Sequence, residues 1–129
     1  MSNEVKYISY EEALNVYNKM IDASDGGFDG VRDEGGILAT LDFVQDDMYY
    51  PDFSDKLSYL VFKFCSGHYF NDGNKRIALT LGAYFLYKNS YKMNGKQLKN
   101  SILQWAIQGK RVLRQHVFIF VEVAVNNSR

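Results

Sequence analysis

The chain reads SDKLSYLVFKFCS over residues 54–66, GHYFNDGNKR over 67–76 and IALTLGAYFLYK over 77–88. In the first segment, four apolar residues recur at the spacing of one helical face: Leu57, Leu60, Val61 and Phe64. This spacing predicts a helix from about Ser54 to Ser66, which Gly67 ends. Another helix is predicted from Lys75 to Lys88, and its residues leave almost no polar face, which is typical of a central helix surrounded by others. The sequence therefore places a polar segment between two buried helices.

The N-terminal part of the chain predicts a further helix and a loop. Ser9 and Glu12 form a capping box, in which each side chain accepts a hydrogen bond from the backbone N–H of the other residue. The apolar residues that follow share one helical face: Ala13, Leu14, Tyr17, Met20 and Ile21. Two consecutive glycines, Gly26 and Gly27, end this pattern, and the acidic, glycine-rich stretch 25–36 is predicted to be a loop.

The remaining apolar patterns complete an all-α prediction. A second helix is predicted with four residues directed inward: Ile37, Leu38, Leu41 and Val44. Residues 44–53 contain Pro51 and two tyrosines and predict an irregular segment. Another helix is predicted around Trp105, and the β-branched stretch 117–125 is interpreted as a buried helix, although its propensity also fits a strand. We therefore expect an all-α, compact single-domain helical bundle of about six helices over residues 1–129, with the polar segment between its two central helices.

Charge and composition limit the classes of partner. The 129 residues suffice for one domain, and 47% of them are hydrophobic, which is too apolar for a disordered segment. Fifteen basic and fifteen acidic residues cancel, so the chain lacks the basic character of a protein that binds nucleic acid directly. Cys65 is the single cysteine, which rules out an intramolecular disulfide, and only His68 and His116 could join it in a zinc site. Cys65 is interpreted as a buried small hydrophobe, and His116 is assigned no role.

Nothing in the sequence indicates export or a membrane partner. The first residues, Met1 to Lys6, lack the apolar core of a signal peptide. The longest nearly uncharged run, Ile77 to Tyr87, is shorter than the roughly 20 residues that cross a bilayer. We therefore expect a soluble, cytoplasmic protein.

The polar segment has the residue types that bind an anion. The N-terminus of a helix presents unpaired backbone N–H groups and a partial positive charge, and it binds phosphate readily. Gly73 permits a close approach of the backbone to such an anion. Lys75 and Arg76 stand in the first turn, where cations oppose the helix dipole, and a bound polyphosphate would explain their position. Asp72 suits Mg²⁺, which takes one or two carboxylates together with phosphate oxygens.

Two further residues complete the segment. Histidine side chains exchange protons near neutral pH, so His68 suits the removal of a proton from an attacking hydroxyl group. Phe70 alternates with polar residues and is predicted to point inward and anchor the loop. Base, metal ligand and anion site together indicate transfer of a phosphate-containing group from a nucleotide to another macromolecule. Each feature also has a plain structural explanation: an exposed histidine, a tight turn, a solvated cation pair, and helix caps at Asp72 and Asn74.

The order of these residues resembles a known signature. This chain has His68-x-Phe70-x-Asp72-Gly73-Asn74-Lys75-Arg76, which is similar to the signature loop of the Fic/Doc family, H-x-F-x-(D/E)-(A/G)-N-G-R. Where Fic enzymes have the second glycine, this chain has Lys75, as in the death-on-curing (Doc) branch, whereas Gly73 stands in place of the alanine of Doc. The resemblance extends over about residues 8–90 and includes the order and spacing of Val31-Arg32-Asp33 and Tyr50-Pro51.

The resemblance implies a fold, a reaction and roles for individual residues. It implies a helical bundle with the loop between its two central helices, and a transfer from ATP with Mg²⁺ as cofactor. His68 would be the general base on a target hydroxyl group, Asp72 would hold the magnesium ion, and Phe70 would anchor the loop. The phosphates of the nucleotide would lie on four residues: Gly73, Asn74, Lys75 and Arg76.

The two branches of the family imply different reactions. Doc-type proteins phosphorylate a threonine of a translation elongation factor, whereas Fic enzymes mostly transfer AMP to a protein hydroxyl group. The long cationic side chain of Lys75 would crowd the diphosphate pose that the family glycine permits, which favours phosphate transfer. The hypothesis is therefore a Doc-like toxin restrained by a separate antitoxin protein, because the self-inhibitory motif of the family, (S/T)-x-x-x-E-(G/N), is absent from the sequence. A Fic-type AMP-transferase and a non-catalytic helical binding module remain the alternatives.

Residues 44–53 fall where the family places a flap that docks the target chain by strand addition. Tyr49 or Tyr50 would then contact the protein substrate. An ordinary loop with two surface tyrosines explains the same residues equally well.

Overall fold

The computed structural model describes residues 4–23 and 30–90, and this part of the chain is helical. Its α-helices are α1 (Tyr10–Ala23), α2 (Glu34–Phe43), α3 (Phe53–Ser66) and α4 (Asn74–Lys88). An isolated antiparallel bridge joins Val31 to Phe70. The all-α prediction is therefore confirmed for the described ranges, whereas the helices predicted after residue 90, and with them the count of six, lie outside the described residues. None of the described helices has the length and apolar composition that crossing a membrane requires.

The two helices that flank the polar segment form the centre of the core. Helix α4 packs along α3 more extensively than any other two described helices pack together. Gly82 permits this close packing, because a Cβ atom there would lie only 2.7 Å from Cγ2 of Val61. Helix α4 buries residues on more than one face: Ile77, Ala78, Leu79, Leu81, Gly82, Phe85 and Leu86. The prediction of a central helix is thus confirmed, and the polar segment lies where α3 ends and α4 begins.

Helix α1 begins at its predicted capping box and is tied to the far end of α4. Ser9 Oγ accepts the N–H of Glu12 at 3.1 Å, and Glu12 Oε1 accepts the N–H of Ser9 at 3.0 Å. The other carboxylate oxygen of Glu12 accepts hydrogen bonds from the Tyr84 hydroxyl at 2.5 Å and from Lys88 Nζ at 2.6 Å. Burial raises the pKa of Glu12, but the bonds from Lys88 and Tyr84 outweigh it, so that the pKa is lowered to about 2.

Helix α2 differs from the prediction at two points. It begins at Glu34, inside the stretch predicted to be a loop, because the Asp33 carboxylate caps the helix by accepting the N–H of Gly36 at 2.9 Å. The buried apolar residues on this side are Ile37, Leu41 and Val44. Leu38 is 45% exposed, so its predicted inward position is wrong. The buried residues recur at i, i+4 and i+7. Leu38 lies about 100° around the helix from Ile37 and therefore faces solvent.

Candidate active site

The polar segment leaves α3 through an unusual turn at His68. Gly67 closes α3 by donating its N–H to the Lys63 carbonyl at 2.8 Å. His68 follows with a φ of 54°, a left-handed backbone conformation that residues with a side chain rarely adopt. The next residue, Tyr69, is buried, and a 2.6 Å hydrogen bond joins its hydroxyl group to Thr40 Oγ1. Fixed neighbours therefore impose the strain at His68, whose imidazole is exposed on the surface.

Asn74 clamps the loop into a closed turn. Its Oδ1 accepts the backbone N–H of Phe70 at 3.1 Å, and its Nδ2 donates to the Phe70 carbonyl at 2.9 Å. Phe70 is 1% exposed, and its ring stacks on Tyr17 of α1 with centroids 3.9 Å apart and planes inclined by 15°. Asn74 thus holds the backbone of Phe70 and the core holds its ring, which fixes the residues between Phe70 and Asn74.

The fixed turn carries the carboxylate and the glycine of the site. Asp72 Oδ1 accepts the backbone N–H of Gly73 at 2.8 Å, and the Asp72 carbonyl accepts the Tyr17 hydroxyl at 2.9 Å. Gly73 has a φ of 78° and a ψ of 21°, a left-handed conformation that favours glycine. A Cβ atom at this position would also lie 3.0 Å from Met20 Cε. Backbone conformation and available space therefore both favour glycine here.

The first turn of α4 has the features of an anion site. Its N-cap, Gly73, makes no side-chain cap, so Asp72 and Asn74 are not the helix caps that one interpretation of the sequence suggested. The backbone N–H groups of the first turn of any α-helix lack an intrahelical partner and carry partial positive charge. A guanidinium nitrogen of the exposed Arg76 lies 3.7 Å from the position that a Cβ on Gly73 would take. A cation therefore accompanies the helix N-terminus, as an anionic ligand requires.

The side chain of Lys75 adds a second positive charge at the base of the loop. Burial raises the pKa of the Cys65 thiol to about 11, and the charge of Lys75 opposes this shift. Cys65 therefore stays protonated at neutral pH, which suits a buried small hydrophobe and excludes a thiolate nucleophile.

A short segment ahead of α2 pairs with the loop. Residues 30–33 lie antiparallel to residues 69–71 around the isolated bridge. The Tyr69 carbonyl accepts hydrogen bonds from the N–H groups of Arg32 at 2.8 Å and Asp33 at 3.0 Å. The loop is thus supported by α1, by α4 and by this segment.

Sequence reasoning missed the part that Tyr17 plays in this support. It predicted Tyr17 only as a member of the apolar face of α1. The hydroxyl group is the one signal that could have revealed more, because a buried tyrosine usually finds a hydrogen-bond partner. That partner is the backbone of Asp72, which no local pattern connects with α1.

The two tyrosines predicted to dock a target belong to an aromatic cluster between α2 and α3. Tyr49 is 69% exposed, and the half-buried Tyr50 stacks on Tyr59 with centroids 4.4 Å apart. The ring of Phe43 lies 5.3 Å from that of Tyr49 and 5.6 Å from that of Tyr50. The structure therefore gathers the other predicted site residues in the loop 68–76 and places the two tyrosines with α2 and α3.

Asp72 supplies a carboxylate at the loop. Among residues 4–23 and 30–90, no three histidine, cysteine, aspartate or glutamate side chains are grouped so that they could hold a metal ion. A single carboxylate is the kind of ligand that Mg²⁺ takes from a protein, together with phosphate oxygens and water.

Comparison with known proteins relates the chain to one family. Residues 7–86 match the sequence pattern of the Fic/DOC family. Over 93 residues the chain is 33% identical to Protein kinase doc of Escherichia phage P1, and the alignment covers 69% of this chain and 72% of that protein. The span that matches the family pattern contains the entire loop from Gly67 to Arg76.

Proposed function

The chain belongs to the Fic/DOC family, and from this premise we propose that it is a Doc-like toxin that transfers a phosphate from ATP to a hydroxyl group of a target protein. The similarity to a protein that is named as a kinase supports phosphate transfer. The proposed target is a translation elongation factor, and the proposed restraint is a separate antitoxin protein. Transfer of AMP is the competing reaction within the family.

One observation carries the proposal: a single short loop contains a histidine, a carboxylate and the N-terminus of a helix. His68, Asp72 and the N-terminus of α4 lie within the nine residues 68–76. The bonds between Asn74 and Phe70 close this loop through groups of the protein itself. Groups that are held in place in advance lower a barrier, because less freedom is lost when the reactants meet.

His68 is proposed to accept the proton of the target hydroxyl group. Its side chain is exposed, so that a residue of another protein can reach it. As the hydroxyl oxygen forms its bond to the γ-phosphorus, the bond between that phosphorus and the oxygen of ADP breaks, and the hydroxyl proton passes to the imidazole. The products are ADP and a phosphorylated protein.

The first turn of α4 is proposed to hold the phosphates of the nucleotide. Gly73 lets the backbone approach them, and Lys75 and Arg76 neutralise their charge. The side-chain amide of Asn74 is engaged with Phe70, so its proposed contribution to phosphate binding comes from its backbone N–H. A magnesium ion held by Asp72 would neutralise charge on the transferred phosphate.

Lys75 is the residue that favours phosphate transfer over AMP transfer. A glycine at this position lets a diphosphate lie directly against the backbone. Lysine adds bulk and a positive charge in the first turn of α4. The γ-phosphate, rather than the α-phosphate, is therefore proposed to lie within reach of the target hydroxyl group.

ATP labelled on either the α or the γ phosphate tests the proposal. The protein is incubated with Mg²⁺, labelled ATP and a bacterial lysate, and His68→Ala is compared with His116→Ala, the other histidine of the chain. We expect label in a lysate protein from the γ position only, lost in His68→Ala and kept in His116→Ala. Label from the α position would show AMP transfer, and no label from either position would favour a non-catalytic binding module.

Expression in a bacterial host tests the toxin part of the proposal separately. The wild-type chain, expressed alone, should stop growth, and His68→Ala should not. Unimpaired growth with the wild-type chain would contradict the toxin assignment without bearing on the labelling result.

A further inference from the structure

A cavity with aromatic walls lies between the turn after α2 and the outer face of α3. Its volume is ≈ 290 Å³, which is room for one large side chain and is at the lower end of the range for drug-sized ligands. Its aromatic walls are Tyr49, Tyr50, Tyr59 and Phe62. Asp55, Ser58 and Lys63 complete the lining.

The aromatic walls are held in place by one another. Tyr50 stacks on Tyr59 at 4.4 Å, and the ring of Phe43 meets both edge-on, at 5.6 and 5.8 Å between centroids. Tyr49 packs on Phe43 at 5.3 Å and remains 69% exposed. Tyrosine rings attract a cation over their faces, and a planar guanidinium group also stacks on them.

The side-chain oxygens of Ser58 and Asp55 at the cavity suit a hydrogen-bond donor on a bound ligand. Ser58 Oγ is buried and has no hydrogen-bond partner among the described residues, which is unusual for a buried hydroxyl group. Asp55 is held at the wall because its Oδ2 accepts the N–H of Asp52 at 3.2 Å. Lys63, which also lines the cavity, follows Asp55 by two turns of α3, or about 12 Å along the helix axis.

The chain segment that forms the cavity walls carries a net negative charge. Residues 42–63 include five aspartates and two lysines. One of these lysines, Lys56, is itself buried, and its ammonium group donates to Asp47 at 2.9 Å and to the Val44 carbonyl at 3.1 Å. The remaining charges favour a basic guest through electrostatic complementarity.

Exposed apolar side chains next to Tyr49 favour a protein over a small basic molecule. Met48, which precedes Tyr49 in the chain, is 92% exposed, and Phe43, whose ring lies 5.3 Å from that of Tyr49, is 41% exposed. A pocket that accepts one anchoring side chain, surrounded by exposed apolar residues, is typical of the centre of a protein–protein interface.

We propose that this cavity binds an arginine side chain of a partner protein. The guanidinium group lies against the tyrosine faces and donates to the Asp55 carboxylate and to Ser58 Oγ, while apolar residues next to the arginine contact Phe43 and Met48. The interaction does not depend on nucleotide binding or on His68. It therefore stands or falls separately from the proposed phosphate transfer.

Two small molecules test whether the cavity binds arginine: acetyl-arginine amide and acetyl-citrulline amide. They have nearly the same shape but differ in charge. Each is titrated into the isotopically labelled full chain while NMR shifts are recorded. Arginine should give saturable shifts at Tyr49, Tyr59 and Ser58, and citrulline should bind roughly tenfold more weakly. Equal binding of the two, or shifts at other residues, would overturn the proposal.

Matched variants locate the site. Asp55→Asn should weaken arginine binding roughly tenfold, and Tyr49→Ala should weaken it about two- to fivefold. Asp22→Asn and Tyr87→Ala, which alter an exposed aspartate of α1 and an exposed tyrosine of α4, should leave it unchanged. If the two cavity variants weaken arginine binding no more than the two control variants do, the arginine does not bind in the cavity.

A peptide with a leucine on each side of the arginine tests whether the bound arginine belongs to a partner protein. Acetyl-Leu-Arg-Leu-amide should bind more tightly than acetyl-arginine amide, because its leucines cover Met48 and Phe43. Met48→Ser should abolish this advantage and leave the binding of the single arginine unchanged. Equal affinity of the peptide and the single amino acid would overturn the assignment to a protein partner.

Discussion

Acidification should destabilise the fold through Glu12, which ties α1 to the end of α4. The pKa of Glu12 falls from 4.5 to about 2 on folding. At about 1.36 kcal/mol per pKa unit, the full shift would correspond to about 3.4 kcal/mol. The side chains of Glu12 and Lys88 are 31% and 20% exposed, and solvent screening reduces the expected contribution to about 1–2 kcal/mol. Because the folded-state pKa lies below the unfolded value, this contribution is complete at neutral pH and is lost as the pH falls from 4.5 towards 2.

Urea unfolding at a series of pH values compares the wild-type chain with Glu12→Gln. Glutamine keeps an oxygen for the capping box with Ser9 and loses the charge that Lys88 binds. The wild-type chain should be more stable than Glu12→Gln by about 1–2 kcal/mol at neutral pH, and the difference should shrink below pH 4.5 and approach zero only below pH 2. Glu11→Gln, at the exposed neighbouring position, should show no such difference. The reasoning is refuted if the full difference persists below pH 2 or disappears already between pH 7 and pH 5.5.

Three substitutions test the supports of the loop. Asn74→Asp should lower the free energy of unfolding by about 1–2 kcal/mol, because an oxygen replaces the Nδ2 that donates to the Phe70 carbonyl. Thermal melting measures this loss. The control Asn18→Asp, at an exposed position of α1, should have little effect. Tyr17→Phe should cost about 1 kcal/mol in urea unfolding, since it keeps the ring stack on Phe70 but removes the hydrogen bond to the Asp72 carbonyl, and an unchanged stability would show that this bond contributes nothing. Gly73→Ala should cost about 1–2 kcal/mol because of its left-handed backbone and the 3.0 Å approach to Met20 Cε. In a double-mutant cycle Met20→Ala should relieve part of that loss, and strictly additive effects would rule out the steric contribution.

Local patterns predicted the helices whose signals lie within one or two turns. The capping box of Ser9 and Glu12 is an interaction between neighbours, so the sequence alone locates the start of α1. The start of α2 is not predictable in this way, because glycine is a poor helix former and the first turn contains Gly35 and Gly36. The reason for Gly36 is a tertiary contact, since a Cβ atom there would lie 2.5 Å from Cε1 of Tyr69. A pattern-based prediction therefore extends the loop into the helix.

The candidate site, like the helices, is predictable only where its signals are local in the sequence. Its chemistry is predictable because the residues that carry it are contiguous, from His68 to Arg76. The supports of the loop come from distant parts of the chain: the Tyr17 hydroxyl is 55 residues from the Asp72 carbonyl that it binds, and the bridging residue Val31 lies ahead of α2. Neither contact leaves a pattern in the sequence, because a tyrosine on an apolar face and a valine in a glycine-rich stretch have ordinary explanations.

The closure of the loop and the lack of a side-chain cap at the N-terminus of α4 have one cause. Asparagine and aspartate at the start of a helix usually cap it and thereby occupy the first-turn N–H groups, at a gain of about 1 kcal/mol. Here the Asn74 amide bonds the backbone of Phe70, and Asp72 bonds the N–H of Gly73, so both side chains shape the loop instead. The helix tolerates the missing cap because α4 is packed along α3 through most of its length. Two residues that could stabilise the helix end thus stabilise the loop instead, which is the kind of departure from maximal stability expected at a functional site.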